Sequence, residues 1–406
     1  MRAGPVTGAD LRNEEYARDP FPVWRRLRDE QPLLYDEVGD RWMLTRYDDV
    51  RAVLGNPTTY SARTYQERFR PVFGRTLAEL DGPRHIRERT IVAPAFVGRS
   101  LEAYRPYIER SIDSLAAAVD SQEAFDLVHV MTGLLPLTTI SAMLGFADRD
   151  TPLLLEIGGT ILDGLADEPA ARAAGADAHR RLADHLGPIM AARRSEPTDD
   201  LISRIVHAEA DGERLSDEEI HSFVSFLLVA GGPTTDMALR NFWWALLTEP
   251  DELEKCRQEP ERVGRAFSES LRRDGPIVYE DRRTNVEVEW YGTVIPPDSD
   301  VVVCLGAADT DDSVFNHPET FDPDRSDLLM GVERKPGHRD NETAGHLAFG
   351  LGSHFCMGYQ LARAEAVAAT HRFLLALPAV RLVEPQTPHV TWYERTVSAL
   401  PVRVRR

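Results

Sequence analysis

The sequence predicts a mainly α-helical fold carrying small β-sheets, and three observations predict it. Helical periodicity runs with few breaks from about residue 100 to 275. Inside that region one long helix has its own start and stop signals. Strand-like runs are short and fall in two places, near residues 32–45 and 286–305.

Taken in order, Met1 to Arg18 mixes charges and glycine with no apolar core, which argues against a secretory signal or a membrane anchor. Pro32-Leu-Leu-Tyr-Asp36 and Arg41-Trp-Met-Leu-Thr45 flank Glu37-Val-Gly-Asp40, the pattern of a hairpin about a glycine turn. Glu168 to His185 is alanine-rich and helical, with so few large apolar residues that it is expected to be mobile. The clearest helix starts at Ser216, where Ser216 and Glu219 form a capping box. It runs through Ile220, Phe223, Phe226, Leu227 and Ala230 toward Trp243 and Leu247, and Thr248-Glu-Pro250 ends it. At 1.5 Å per residue it spans about 45–50 Å, the width of a whole protein of this size, so it is expected to cross the core. Strands are expected again at Val286–Trp290 and Val301–Leu305, followed by a Pro- and Asp-punctuated region from 309 to 345. A last helix, Met357 to Leu377, stops at Pro378.

No internal repeat or flexible linker divides the chain, so residues 1–406 are expected to form one domain. Hydrophobic residues at 42% and charged residues at 28% fit an ordinary globular protein with a sizeable core. The longest strongly apolar run, Phe223 to Ala230, is far short of a membrane span, and a cytoplasmic location is expected. A net charge of −19 disfavours nucleic acid as a partner. Cys256, Cys304 and Cys356 have no C-x-x-C spacing, which excludes a zinc knuckle or a disulfide framework on pattern.

The chemistry concentrates in Phe349-Gly-Leu-Gly-Ser-His-Phe-Cys-Met-Gly358, which puts Cys356 at the start of the last helix. Free backbone N–H groups and the positive end of the helix dipole stabilise a thiolate there. Gly350, Gly352 and Gly358 allow backbone to approach a flat group closely. Cys256 and Cys304 lack such surroundings and are read as inert buried thiols.

This F-G-x-G-x-H-x-C-x-G segment resembles the haem-ligand loop of the cytochrome P450 family at every fixed position. Two further segments resemble the family in its own order. Glu269-Ser-Leu-Arg272 is similar to its E-x-x-R, expected to hold Arg325 of Phe321-Asp-Pro-Asp-Arg325, and His85-Ile-Arg-Glu-Arg89 is similar to its H-x-x-x-R. The resemblance runs from Trp42 through the last helix. It implies a triangular-prism fold with the long helix over a haem b (iron protoporphyrin IX) whose iron is bound by Cys356. Phe349, Gly350, His354 and Gly358 belong to the same loop. His85, Arg89, His354 and Arg282 are implied as partners of the haem propionates, with neighbouring Arg283 as the alternative to Arg282. Substrate entry is implied near residues 62–80 and 160–185.

One segment departs from the family. Its distal groove reads A-G-x-[D/E]-T-T, whereas this chain reads Ala230-Gly-Gly-Pro-Thr-Thr235, so Thr234 is retained without its acidic neighbour. Pro233 cannot donate to the Val229 carbonyl and is expected to open the helix, eased by Gly231 and Gly232, leaving room for a water. Asp236, one turn on, is read either as a substitute proton relay or as an ion-paired structural charge.

The function implied first is a monooxygenase that uses O2, a small lipophilic substrate and electrons from a ferredoxin and ferredoxin reductase. No flavin or iron–sulfur segment is present in the chain itself. The acidic ferredoxin is expected to dock on the cysteine side, at Arg84, Arg87 and Arg363. The alternatives are a peroxide-driven enzyme and a haem-binding sensor without turnover. Phe226, Val229, Ile277, Val278 and Val397 are candidate pocket walls by position.

Overall fold

The computed structural model describes residues 4–119, 122–166, 168–329, 338–340, 342–391 and 393–404. Part of the irregular 309–345 region, residues 330–337 and 341, lies outside them.

The predicted hairpin forms from β1 (Leu33–Asp36) and β2 (Arg41–Leu44), antiparallel with Leu33 opposite Leu44. These strands edge a five-stranded sheet completed by β3 (Tyr60–Ser61), β4 (Tyr279–Thr284) and β5 (Asp300–Cys304), in the order β1-β2-β5-β4-β3. β5 is the expected Val301–Leu305 run, fully buried and aliphatic. The unexpected strand is β4, whose Tyr-Glu-Asp-Arg-Arg-Thr sequence hides a strand behind its charges. The other expected strand shrinks to Val288–Trp290, which turns back onto Thr293–Ile295. Tyr291 (φ 53°) and Gly292 (φ 76°) make that turn, the two left-handed residues that a tight hairpin needs. A further pair, β6 (His389–Val390) and β7 (Arg395–Thr396), forms a small strap near the C-terminus.

Helices make the body: α1 (Gln66–Phe73), α2 (Gly82–Val92), α3 (Gly98–Val119), α4 (Leu135–Met143), α5 (Thr151–Asp163), α6 (Pro169–Ser195), α7 (Asp217–Thr248), α8 (Arg262–Asp274) and α9 (Tyr359–Ala376). At the start of α7 the Glu219 amide donates to Ser216 Oγ (3.1 Å) and the Ser216 amide donates to the Glu219 carboxylate (2.8 Å), the capping box in full. α7 packs against α4, α5, α6 and α8, which is the central position expected of it. It is long and apolar enough to cross a bilayer, yet 67% of its most apolar window is buried inside the protein, as for a core helix.

The alanine-rich stretch, expected to be mobile for want of large apolar residues, is the first part of α6 and is closely packed. Small residues anchor it instead. Gly175 lies so close to Gly164 that a Cβ on either would come within 3.0 Å of the other's Cα, and Ala178, Leu182, Leu186 and Met190 are buried below.

α8 carries the E-x-x-R pair on one face. Arg272 grips Glu269 with two hydrogen bonds of 2.8 and 2.7 Å, and both side chains are fully buried. Arg325 Nε stands 3.0 Å from the same carboxylate, completing the expected triad. Arg272 also donates to the carbonyls of Asp309 (2.9 Å) and Pro318 (2.7 Å), so α8 clamps the irregular segment that leads into the cysteine loop.

Candidate active site

The loop from Phe349 to Gly358 is shaped by its own backbone. The Cys356 amide donates to the Phe349 carbonyl (2.9 Å), and Gly350 (φ 68°) and Gly352 (φ 72°) take left-handed turns. A Cβ on Gly352 would stand 2.7 Å from the Leu54 carbonyl oxygen, so only glycine fits there.

Cys356 keeps accessible surface, unlike the buried thiols of Cys256 and Cys304. Burial pushes its thiol above the ordinary range, and the Gly358 amide, Arg89 and the Tyr359 amide draw it back in part. A metal ion at the sulfur would reverse that balance and leave a thiolate.

Around the loop stand four nitrogenous side chains from three elements. His85 and Arg89 lie one turn apart on α2; His85 packs against the loop's His354 with ring centres 4.4 Å apart, and Arg89 donates to the Phe355 carbonyl. His85 Nε2 is buried without a hydrogen-bond partner, and burial, with His354 and Arg89 adding to it, holds its pKa down to about 4. His354 Nε2 lies 3.0 Å from Asp81, whose carboxylate also accepts from the Ser61 hydroxyl (2.6 Å) and the Ala62 amide (2.9 Å). On β4, alternation sends the two arginines to opposite faces. Arg282 is buried, donating to Glu280 (2.8 Å), which itself sits against Gly350, whereas Arg283 turns outward to Asp300 and Glu67.

Asp81 and Glu280 escaped the sequence reading. Asp81 had a legible signal, an acid at the N-cap of the helix that carries His85 and Arg89. Glu280 had none, being one charge among four in a strand. Arg89, Arg282 and His354 have partners within the protein, and the orphaned His85 nitrogen marks where a further polar partner belongs. A flat group with a metal centre and carboxylates fits that donor set.

On α7 the half-buried residues Phe226, Ala230, Pro233 and Thr234 share one face. Thr234 Oγ1 donates to the Ala230 carbonyl (2.5 Å). Two expectations, about Pro233 and about the glycines, need correction here, and the two readings of Asp236 can be compared. The helix is unbroken through Pro233, although proline withholds its amide from the Val229 carbonyl. Gly231 and Gly232 serve packing rather than bending: a Cβ would lie 2.8 Å from Ile140 and 2.9 Å from Leu137 of α4. Asp236 turns away from Thr234 toward Gly133 and is ion-paired with Arg240 (2.8 Å), which supports the structural reading over the relay.

Of the other positions, Phe226 joins Phe69 and Phe73 in an aromatic cluster. Val278 and Val397 are fully buried, in two different apolar cores. Arg87 is neutralised by Glu219 (2.7 Å) and Glu213 (3.0 Å), and Arg363 donates to Gly264 and Ser268 of α8, so of the three arginines only Arg84 is exposed with no ion pair among the described residues.

Comparison with known proteins agrees with this geometry. The family model "Cytochrome P450" matches residues 174–377. Cytochrome P450 107B1 of Saccharopolyspora erythraea is 33% identical, the match covering 94% of this chain and 93% of that protein. Cytochrome P450 monooxygenase PikC of Streptomyces venezuelae is also 33% identical, over 99% and 95%. The crystal structure of CYP109E1 from Bacillus megaterium in complex with testosterone superposes with a TM-score of 0.84 at 26% identity, covering 96% of this chain and 100% of that one. With relatives a third identical along almost its whole length, the chain belongs to the cytochrome P450 family and is a haem-thiolate monooxygenase, an oxidoreductase.

Proposed function

We propose that Cys356 binds the iron of haem b and that His85, Arg89, Arg282 and His354 hold its carboxylates. The enzyme then inserts one oxygen atom from O2 into a small lipophilic substrate, with electrons from a separate ferredoxin and ferredoxin reductase. The observation that carries the reading is the convergence on one glycine-shaped loop of an accessible cysteine, the cationic side chains Arg89 and Arg282, and a buried His85 nitrogen without a partner. The same reading takes residues 1–406 as one domain working in the cytoplasm. A lipophilic substrate is supported by the half-buried face of α7 and by the testosterone named for the Bacillus megaterium neighbour.

Haem supplies oxygen activation when bound, with the thiolate donating electron density to the metal. The chain's own residues supply the rest. Amides at the start of α9 hold the sulfur's charge, Phe349 and the glycines keep the loop close to a flat ring, and Arg282 and the His85–Arg89 pair anchor the carboxylates. Thr234 is the remaining hydroxyl donor on the α7 face, and to give its proton elsewhere it must release the Ala230 carbonyl. A water held at the Val229 carbonyl, which Pro233 leaves undonated, is the proposed source behind it.

Turnover of a lipophilic substrate with isotopically labelled dioxygen, ferredoxin, reductase and NAD(P)H tests the reading, and one labelled oxygen atom in the product is expected. Because Pro233 stands where the family has an acid, peroxide-driven turnover is the second reading. Label absent from the product, with hydrogen peroxide alone sustaining turnover, would favour it.

A further inference from the structure

The segment 63–75, which contains α1, carries four arginines. Three are neutralised by the chain's own carboxylates: Arg63 by Asp298 (2.5 Å), Arg70 by Glu79 (2.7 Å), and Arg75 by Glu219 (2.5 Å) and Glu88 (3.2 Å). Arg68 is the exception. Its Nε donates to the Leu165 carbonyl (3.3 Å) and its guanidinium lies 4.9 Å from the centre of the Tyr393 ring, but no carboxylate among the described residues is within ion-pair reach. Both of its terminal nitrogens are left to donate. Asp281, whose carboxyl feels the Arg68 charge at longer range, accepts from the Tyr393 hydroxyl and from Arg41 (3.5 Å).

Its position adds to this. Arg68 joins three separate parts of the chain: α1, the turn after α5 at Leu165, and the turn between β6 and β7 at Tyr393. From the same helix an aromatic row leads inward. Tyr65 and Phe69 stack with centres 5.2 Å apart, and Phe69 meets Phe73 at 5.4 Å and Phe226 of α7 at 5.8 Å. Phe226 shares the half-buried face of α7 with Thr234, two turns or about 12 Å further along.

We propose that Arg68 is the recognition group for a substrate carboxylate, carried on an apolar body that lies along the Tyr65–Phe69–Phe226 row toward Thr234. This rests on the monooxygenase reading and names the substrate class of the same site. A planar guanidinium with two free nitrogens suits a carboxylate fork, and the Tyr393 face and Leu165 carbonyl fix its plane.

The test compares dodecanoate with dodecan-1-ol, equal in chain length, on haem-loaded protein, by Soret shift and by equilibrium dialysis. Wild type should bind the acid about tenfold more tightly than the alcohol. Arg68→Leu should abolish that preference while leaving the alcohol's affinity unchanged, and Arg68→Lys should keep part of it. Equal affinities in wild type, binding of neither compound, or a preference that survives Arg68→Leu would each overturn the proposal. The reduced carbon monoxide spectrum of the same samples separates the two readings. A thiolate-type band without acid preference sinks the Arg68 assignment alone, whereas absence of that band sinks both.

Discussion

Proton supply turns on single residues of α7. Thr234 keeps its hydroxyl on the Ala230 carbonyl, Asp236 is spent on Arg240, and Pro233 brings no acid. If a water at the Val229 carbonyl or a substrate group carries the proton, Pro233→Asp should change the ratio of product to NAD(P)H little. Thr234→Ala separates those two routes. Under the water route it should raise hydrogen peroxide release sharply, because the hydroxyl is the side-chain donor left on that face. Under a substrate-assisted route, coupling should follow the substrate's own hydroxyl or amine and hardly change in Thr234→Ala. Both variants are to be measured under saturating ferredoxin, and a large gain in coupling for Pro233→Asp would contradict either route.

At the scale of elements, two buried charges in helices make opposite predictions. Arg272 in α8 completes a triad with no exposure, and removing one partner strands a buried charge at a cost of roughly 3–5 kcal/mol, a large share of the stability of an ordinary domain. Arg272→Ala should therefore yield little soluble, haem-loaded protein, and a normal yield and Tm would contradict the clamp. Glu365 in α9 is the reverse case. Fully buried, with Oε1 unpartnered and only Thr139 of α4 opposing, its carboxyl is pushed up to about 8 by desolvation. The unfolded chain ionises this group near pH 4.3 while the folded chain keeps its proton, so its contribution is present at low pH and is lost as pH rises toward about 8. Glu365→Gln should match wild type in Tm near pH 4 and exceed it by a widening margin toward pH 8; parallel profiles would contradict this. The elements themselves were unequally legible. α7 announced itself because periodicity, cap and stop coincide, whereas β4 did not, since Arg283 and Asp281 find their partners Glu67 and Arg41 far away in sequence. α6 was legible as a helix but not as an anchored one, because the Gly164–Gly175 contact is a matter of shape that composition does not record.

For the whole molecule, a net charge of −19 opposes an acidic redox partner in bulk, so docking depends on local field. Arg84 is exposed, with no ion pair among the described residues, on the helix that carries His85 and Arg89, while the chain's own contacts engage Arg87 and Arg363. Arg84→Glu should slow reduction by ferredoxin several-fold at low ionic strength and much less at high salt; indifference to both would move the docking face elsewhere. The cysteine loop was readable in full from sequence because its glycines and Cys356 act through backbone and spacing, but its supports were not all readable. Asp81 holds His354 across 273 positions, a contact that only the fold creates. The most direct measurement is the absorption of the reduced carbon monoxide complex of wild type and Cys356→His. Wild type should give the long-wavelength Soret band of thiolate ligation, and Cys356→His the shorter-wavelength band of imidazole ligation. An unchanged spectrum in Cys356→His would contradict the assignment of Cys356 as the haem ligand.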